Sequence, residues 1–318
     1  MVKNAKAVVS VKNRNFTILW LRDALLAASA SLTSVSVLSG HLLFTGMGES
    51  KVSFYLAFVP RYIMRYMRKT KKIAVRRNDK GGIYMKFIAH RGACLELQED
   101  TLAALNRAAD YGAFAVECDL RYTADGVLVV YHDRELTRLT GNESKVIDIT
   151  YAEMKQILAQ AGKTLTTFEE LVSGFNRKSA VLFDISFDAL EKDFYRLISD
   201  VPFRAIAGIH AVEEAKLASG YFAKENILAF MPKDGDPAEF AAAGAGNIRL
   251  WEHWTETLPV QEVRKILPPD REIWIMARDG SIKHPLFCMN GSRASIEKFT
   301  ACGADAMLLN DIGLAMEF

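Results

Sequence analysis

From residue 81 onward, short apolar runs alternate with stretches whose apolar positions recur at helical spacing. Residues 84–89, 113–120 and 127–131 read as strands, because each is a near-continuous apolar run too short for a helix. Residues 101–111 and 151–161 place apolar side chains three and four apart and read as helices. Repeated strand-then-helix units predict an α/β fold with a parallel sheet, and their number fits an eight-fold (β/α)8 barrel of the TIM type. The segment between His132 and Tyr151 is short, so no large inserted subdomain is expected over the barrel mouth.

The first 80 residues follow another pattern. Residues 24–48 contain no Asp, Glu, Lys or Arg, and a run of that length is enough to cross a bilayer as a helix. Beyond the apolar residues 52–59, Tyr62, Ile63, Tyr66 and Met67 continue at helical spacing among Arg61, Arg65 and Arg68, and Lys69, Lys71, Lys72, Arg76 and Arg77 follow. An aromatic helix leading into a basic run suits a membrane surface bearing anionic lipid. No recognised nucleic-acid-binding fold accompanies the run, so nucleic acid is not an expected partner.

Charge sharpens the division. The first 80 residues hold 15 Lys or Arg against 3 Asp or Glu, and the remainder hold 25 against 35, so a near-neutral total conceals two opposite halves. The expected organisation is a helical membrane-anchoring segment and linker over residues 1–82, jointed at Gly81-Gly82, and a barrel domain over residues 83–318. The charged lead of residues 1–23 argues against a cleaved signal peptide. The basic cluster after residue 60 favours a barrel on the cytoplasmic side, with the extracytoplasmic side as the alternative. Cys94, Cys118, Cys288 and Cys302 lack metal-ligand spacing and lean toward a reducing compartment.

The candidate chemistry lies between residues 90 and 133. Glu117 and Asp119 sit two apart on a buried strand, so their carboxylates point the same way. Two adjacent carboxylates stay ionised when a cation sits between them, and oxygen ligands favour a hard ion such as Mg²⁺ or Ca²⁺. His90-Arg91-Gly92 precedes this pair, and His132-Asp133 follows the 127–131 strand. Imidazoles, an arginine and paired carboxylates together suit metal-assisted chemistry on a phosphate ester.

The order His90-Arg91-Gly92, Glu99-Asp100-Thr101, Glu117-Cys118-Asp119, Thr123-Ala124-Asp125-Gly126 and His132-Asp133, with Arg138 soon after, resembles the glycerophosphodiester phosphodiesterase family. The resemblance continues more weakly to about residue 316. It implies a barrel of the phospholipase-C-like phosphodiesterase type that hydrolyses a glycerophosphodiester to glycerol phosphate and an alcohol. It further implies a divalent ion on Glu117, Asp119 and Asp184, with Glu99 as another ligand or a site-ordering carboxylate. Arg91 would bind the substrate phosphate, and His90 and His132 would serve as general base and acid in an order left open. Two departures stand out: Asp184 replaces the family's usual glutamate, and Ser186 its usual lysine. Arg278 could restore the lost charge. The alternatives are lysophospholipase D-type hydrolysis of membrane lysolipids, or a catalytically degenerate membrane-bound scaffold.

Overall fold

The computed structural model describes residues 32–38, 41–46, 85–185, 192–278 and 287–318. The chain divides into two units, Met1–Ile73 and Ala74–Phe318. In the first, strands β1 (Leu32–Leu38) and β2 (His41–Gly46) pair antiparallel, from Leu38 opposite His41 to Leu32 opposite Gly46. This hairpin replaces the helix expected across residues 24–48 over the part of that run that is described. Absence of charge and sufficient length do not select a helix. Thr33, Val35 and Val37 alternate with Ser34 and Ser36 at period two, and β-branched and serine residues are weak helix formers. A two-residue Ser39-Gly40 connection is also a hairpin signal. Among the described residues, no helix is long and apolar enough to cross a membrane. The remaining residues of the expected anchor and linker, including the basic run from Arg61 to Arg77, lie outside the described residues.

The second unit is built on β3 (Lys86–Ala89), β4 (Ala115–Tyr122), β5 (Leu128–Val130), β6 (Thr166–Thr167), β7 (Ala180–Asp184), β8 (Ala205–Ile209), β9 (Ile227–Ala229), β10 (Asn247–Trp251), β11 (Glu272–Met276) and β12 (Ala306–Leu309). Its helices are α1 (Leu102–Asp110), α2 (Thr137–Thr140), α3 (Tyr151–Gln160), α4 (Phe168–Gly174), α5 (Lys192–Ser199), α6 (Val212–Ala218), α7 (Pro237–Ala242), α8 (Val260–Ile266), α9 (Arg293–Cys302) and α10 (Ile312–Ala315). Strands β3, β4, β7, β8, β9, β10, β11 and β12 pair in parallel in that order, and β12 returns to β3 to close the ring. The expected eight-fold barrel is thus present.

Strand periodicity sorts the side chains into two layers. Val116, Cys118, Leu120, Val181 and Phe183 join the apolar layer between strands and helices, where Leu105 and Ala108 of α1 also lie. The alternate residues Ile88, Ala115, Leu182, Ile206, Leu228, Trp274 and Leu308 fill the barrel interior as a separate cluster. Because both faces of each strand are buried, the strands read as continuous apolar runs. Two residues beyond an interior apolar residue, each strand can present a side chain to the mouth: His90 after Ile88, Glu117 after Ala115, Asp184 after Leu182 and Asn310 after Leu308. Cys118 lies in the outer layer, as its alternation with Glu117 and Asp119 requires.

The 127–131 strand departs from expectation. It forms β5, which pairs antiparallel with the end of β4 and is no member of the barrel ring. Strand β6 adds to β5, and residues 123–179 form an excursion with its own apolar cluster around Val129, Leu136, Met154 and Leu158. This excursion is larger than the 132–151 spacing suggested. The Thr123-to-Gly126 turn reverses the chain: Thr123 Oγ1 donates to Asp125 Oδ1 at 2.6 Å, and Gly126 takes φ 78°. The same turn has a positional consequence, because β5 runs back toward the mouth that β4 has just left.

Candidate active site

The His90-Arg91-Gly92 segment turns away from β3 at the mouth. Arg91 takes the left-handed φ of 55°, and its backbone N–H donates to Glu117 Oε2 at 2.8 Å. Such a conformation costs a β-substituted residue about 1–3 kcal/mol, and the buried bond to Glu117 helps hold it. Gly92 has φ 75°, and a Cβ there would stand 2.6 Å from the backbone carbon of Ala104 in α1. Gly92→Ala is therefore expected to destabilise the barrel by about 3 kcal/mol, combining left-handed strain with overpacking against a backbone that cannot yield. Chemical denaturation checks this, and an unchanged midpoint would show that the loop relaxes freely.

His90 is 5% exposed. Its Nδ1 lies 2.7 Å from Asn310 Oδ1. An amide oxygen can only accept, so Nδ1 carries the proton and Nε2 keeps its lone pair. Nε2 stands 4.0 Å from Glu117 Oε2. Burial, and then the neighbouring charge of Arg91, hold the imidazole well below the usual histidine range, so it is neutral at pH 7.

Each residue of Glu99-Asp100-Thr101 does separate work. Thr101 caps α1, accepting from Ala104 N at 3.2 Å. Asp100, at φ 55°, accepts the backbone N–H of Asp119 at 3.3 Å and so braces β4. Glu99 accepts from Arg91 Nη1 at 3.0 Å and from Arg138 through both Nη1 and Nη2. Burial pushes its carboxyl upward, but these two guanidinium groups outweigh that and hold it low. Glu99 lies outside the group formed by Glu117, Asp119 and Asp184, with its oxygens bonded to these arginines as a site-ordering carboxylate would be. Arg91 is likewise engaged, with Nε 3.4 Å from Asp119 Oδ2. Its fork is turned toward carboxylates, which leaves Nη2 as the edge available to a substrate.

Glu117, Asp119 and Asp184 each offer one carboxylate oxygen, all within 4.8 Å of one another. The register explains this: Asp119 of β4 pairs directly with Asp184 of β7, and Glu117 lies two residues earlier on the same face. Burial and mutual repulsion push Glu117 well above the usual carboxylate range and push Asp119 up as well. Asp119 Oδ2 is buried with no hydrogen-bond partner. A buried, repelling oxygen cluster containing an orphaned acceptor matches the requirement of a hard divalent cation, so these residues fit a metal of that class. Asp184 differs from its neighbours. Although burial pushes it up, a bond with His210 Nε2 at 2.7 Å holds it low.

His132 reaches the mouth from the excursion. Tyr131 N donates to Asp119 O at 2.9 Å, and Arg121 Nε donates to His132 O at 2.9 Å, which fixes the backbone beside the carboxylates. The ring Nδ1 lies 2.7 Å from Asp133 Oδ1, and Arg138 Nε donates to Asp133 Oδ2 at 2.6 Å. Against the upward push of its burial, the His132 bond and the Arg138 charge hold Asp133 down at about 2. Asp133 is thus ionised, fixes the ring orientation and leaves Nε2 for chemistry.

Several residues of the site escape the sequence reading. His210 follows β8 as His90 follows β3, and its ring stacks on Phe230 with centroids 5.2 Å apart. Arg249 interrupts the apolar β10 and is 5% exposed, and burial drags its guanidinium down to about 10, still protonated at neutral pH. A charge inside an apolar strand is itself a signal, since buried arginines are rare without a partner. Asn310, Asp100 and Arg121 act through other side chains and carry no sequence mark of that role. Arg278 is exposed at the rim, 5.4 Å from the Trp251 ring. Ser186 lies outside the described residues.

Comparison with known proteins agrees with the barrel fold. The barrel resembles a solved glycerophosphodiester phosphodiesterase from Parabacteroides distasonis, with a TM-score of 0.58 at 20% identity over 73% of this chain and 97% of that one. It resembles equally an Oleispira antarctica phosphodiesterase solved with the product sn-glycerol-3-phosphate, with a TM-score of 0.58 at 17% identity over 74% and 98% of the two chains. At such identities the likeness is one of fold. In sequence the chain is 33% identical over 121 residues to glycerophosphodiester phosphodiesterase 1 of Bos taurus, covering 33% of this chain and 37% of that protein. It is 44% identical over 70 residues to the glycerophosphodiester phosphodiesterase of Caldanaerobacter subterraneus, covering 22% and 29%. The matched stretch spans about a third of the length of these relatives. Residues 90–218, which contain the histidines, the three carboxylates and the excursion, match the model of the Glycerophosphoryl diester phosphodiesterase family.

Proposed function

We propose that the chain hydrolyses a glycerophosphodiester to glycerol phosphate and an alcohol. The observation that carries this reading is the convergence of two imidazoles, each fixed through Nδ1, on the buried group of Glu117, Asp119 and Asp184. A divalent ion held by those carboxylates, Mg²⁺ or Ca²⁺, would supply positive charge to the phosphate oxygens. His90, neutral and with its Nε2 lone pair free, takes the proton from the attacking hydroxyl or water. His132, oriented by Asp133, delivers a proton to the leaving oxygen. Arg91 holds Glu99 and Asp119 in place and offers Nη2 to the phosphate. Release of glycerol phosphate from a panel of deacylated and lysolipid diesters, with and without chelator, tests the reaction. No turnover on any diester at any divalent ion would leave the scaffold reading in its place.

The charge division of the chain supports a membrane partner bearing anionic lipid, and with it a lysolipid as a substrate presented at the surface. Fifteen Lys or Arg against three Asp or Glu in the first 80 residues contrast with the acidic remainder, and each basic residue near an anionic surface contributes about 1 kcal/mol. The cytoplasmic face is the side that this basic cluster favours. A chain starting at Ile83 retains β3 and all the site residues above. It is expected to keep its turnover on water-soluble diesters but to lose it on diesters presented in anionic vesicles, because local concentration is lost while the chemistry is untouched. Equal rates of the two chains on vesicles would remove the membrane reading.

A further inference from the structure

Among the described residues, Arg249 is a buried cation of the mouth that the machinery above does not use. Arg91 faces Glu99 and Asp119, Arg138 spans Asp133 and Glu99, and Arg121 holds the backbone of His132. Arg249, by contrast, makes no hydrogen bond among the described residues, and its Nε and Nη1 are buried without a partner. Its guanidinium carbon lies 4.9 Å from the ring centre of Phe230, 4.8 Å from Trp251 and 5.7 Å from Trp254. These rings hold the plane of the group and strip it of water, but they cannot accept from its N–H donors in the way an oxygen would.

Position adds to this. In the closed ring of eight strands, β10 lies four strands from β4 in either direction, so Arg249 stands across the mouth from Glu117 and Asp119. On β10 it shares its face with Asn247 and Trp251, two residues to either side. The opposing charge that acts on Arg249 is Asp184, yet the two form no ion pair, and Asp184 is already bonded to His210. A cation taken up by Glu117, Asp119 and Asp184 would satisfy that carboxylate further and leave Arg249 without an anion. A buried guanidinium with unused donors is costly unless a ligand completes it, and a tetrahedral oxyanion suits its forked donors.

We infer that Arg249 is a binding residue for the substrate phosphate, meeting from the β10 side the oxygens that the carboxylate-bound ion does not cover. The inference rests on the proposed phosphodiester reaction and adds a specificity-determining contact to it. The aromatic walls make the contact a dry one, which strengthens each N–H to oxygen bond. The reacting phosphate would then be held between opposite walls of the barrel.

The test uses the full chain with Mg²⁺ present, and follows glycerol 3-phosphate and inorganic phosphate binding by calorimetry together with KM for a glycerophosphodiester. Arg249→Met keeps the length and packing of the side chain without its charge, and Arg249→Lys keeps the charge without the fork. Arg249→Met is expected to weaken both anions roughly 10- to 100-fold, the usual effect of losing charge-assisted hydrogen bonds, and to raise KM in step. Mg²⁺ affinity should stay within about twofold, a result that general damage to the site would not give. Arg249→Lys should fall between the two. Anion binding by Arg249→Met within twofold of wild type, or loss of folding in both variants, overturns the inference in favour of a structural arginine. Wild type that binds phosphate through Arg249 yet hydrolyses no glycerophosphodiester supports the anion site and overturns the reaction instead. Wild type that binds neither anion overturns both.

Discussion

His90→Ala is expected to lower kcat by roughly two to four orders of magnitude, the usual worth of a positioned acid or base. His132→Ala should do the same, and the double variant should lose little more than either alone, because the two rings serve one proton-transfer cycle. The structure adds a distinction between them. His90 is buried and tied to Asn310, whereas the His132 ring is 38% exposed and tied to Asp133. Asn310→Ala should therefore lower kcat by removing the acceptor that keeps the His90 proton on Nδ1, without removing an imidazole. Asp133→Asn should act on His132 in the same way. Steady-state kinetics on a soluble glycerophosphodiester would decide, and near-normal turnover in either histidine variant would exclude the acid–base assignment.

Removing the divalent ion is expected to abolish activity, and Asp119→Asn should weaken Mg²⁺ or Ca²⁺ binding by at least about 100-fold. The same substitution should have the opposite effect on the stability of the metal-free chain. Burial pushes Asp119 upward against the charges of His132 and Arg91, so its ionised form opposes folding. Losing that charge should raise the metal-free Tm by a few degrees. Wild type, in turn, should gain about 2.7 kcal/mol when the ion is supplied at a hundred times its dissociation constant, and the variant should not. Thermal melts with and without the ion measure both effects. A wild-type melt indifferent to divalent ions would mean that the three carboxylates serve another purpose.

The spacing of residues along the chain was enough to anticipate the barrel and to set Glu117 and Asp119 on one face, because strands have a period of two. Glu117 and Asp119 must share a face wherever the strand lies, and the repeated strand-and-helix units admit few parallel closures. The long uncharged run near the N-terminus was less informative. Absence of charge and sufficient length point there to a helix, while the alternation of β-branched and serine residues over Leu32–Leu38 matches the strand that forms.

Other features depend on contacts between residues far apart in sequence. Sequence order placed His132 after a strand, but only the antiparallel return of β5 along β4 sets it beside Asp119. Asn310 meets His90 across 220 positions because β12 closes on β3. Glu99 meets Arg138 only because the excursion carries that arginine back across 39 positions to the mouth. His210 and Arg249 enter the mouth from β8 and β10, whose distance from the motif region is a property of the ring and not of the chain. The sequence by itself determined which side chains share a strand face, since local geometry dictates that. The tertiary structure decided which charges meet inside the barrel, since burial makes the ionisation of each carboxylate and imidazole depend on partners that only closure brings near.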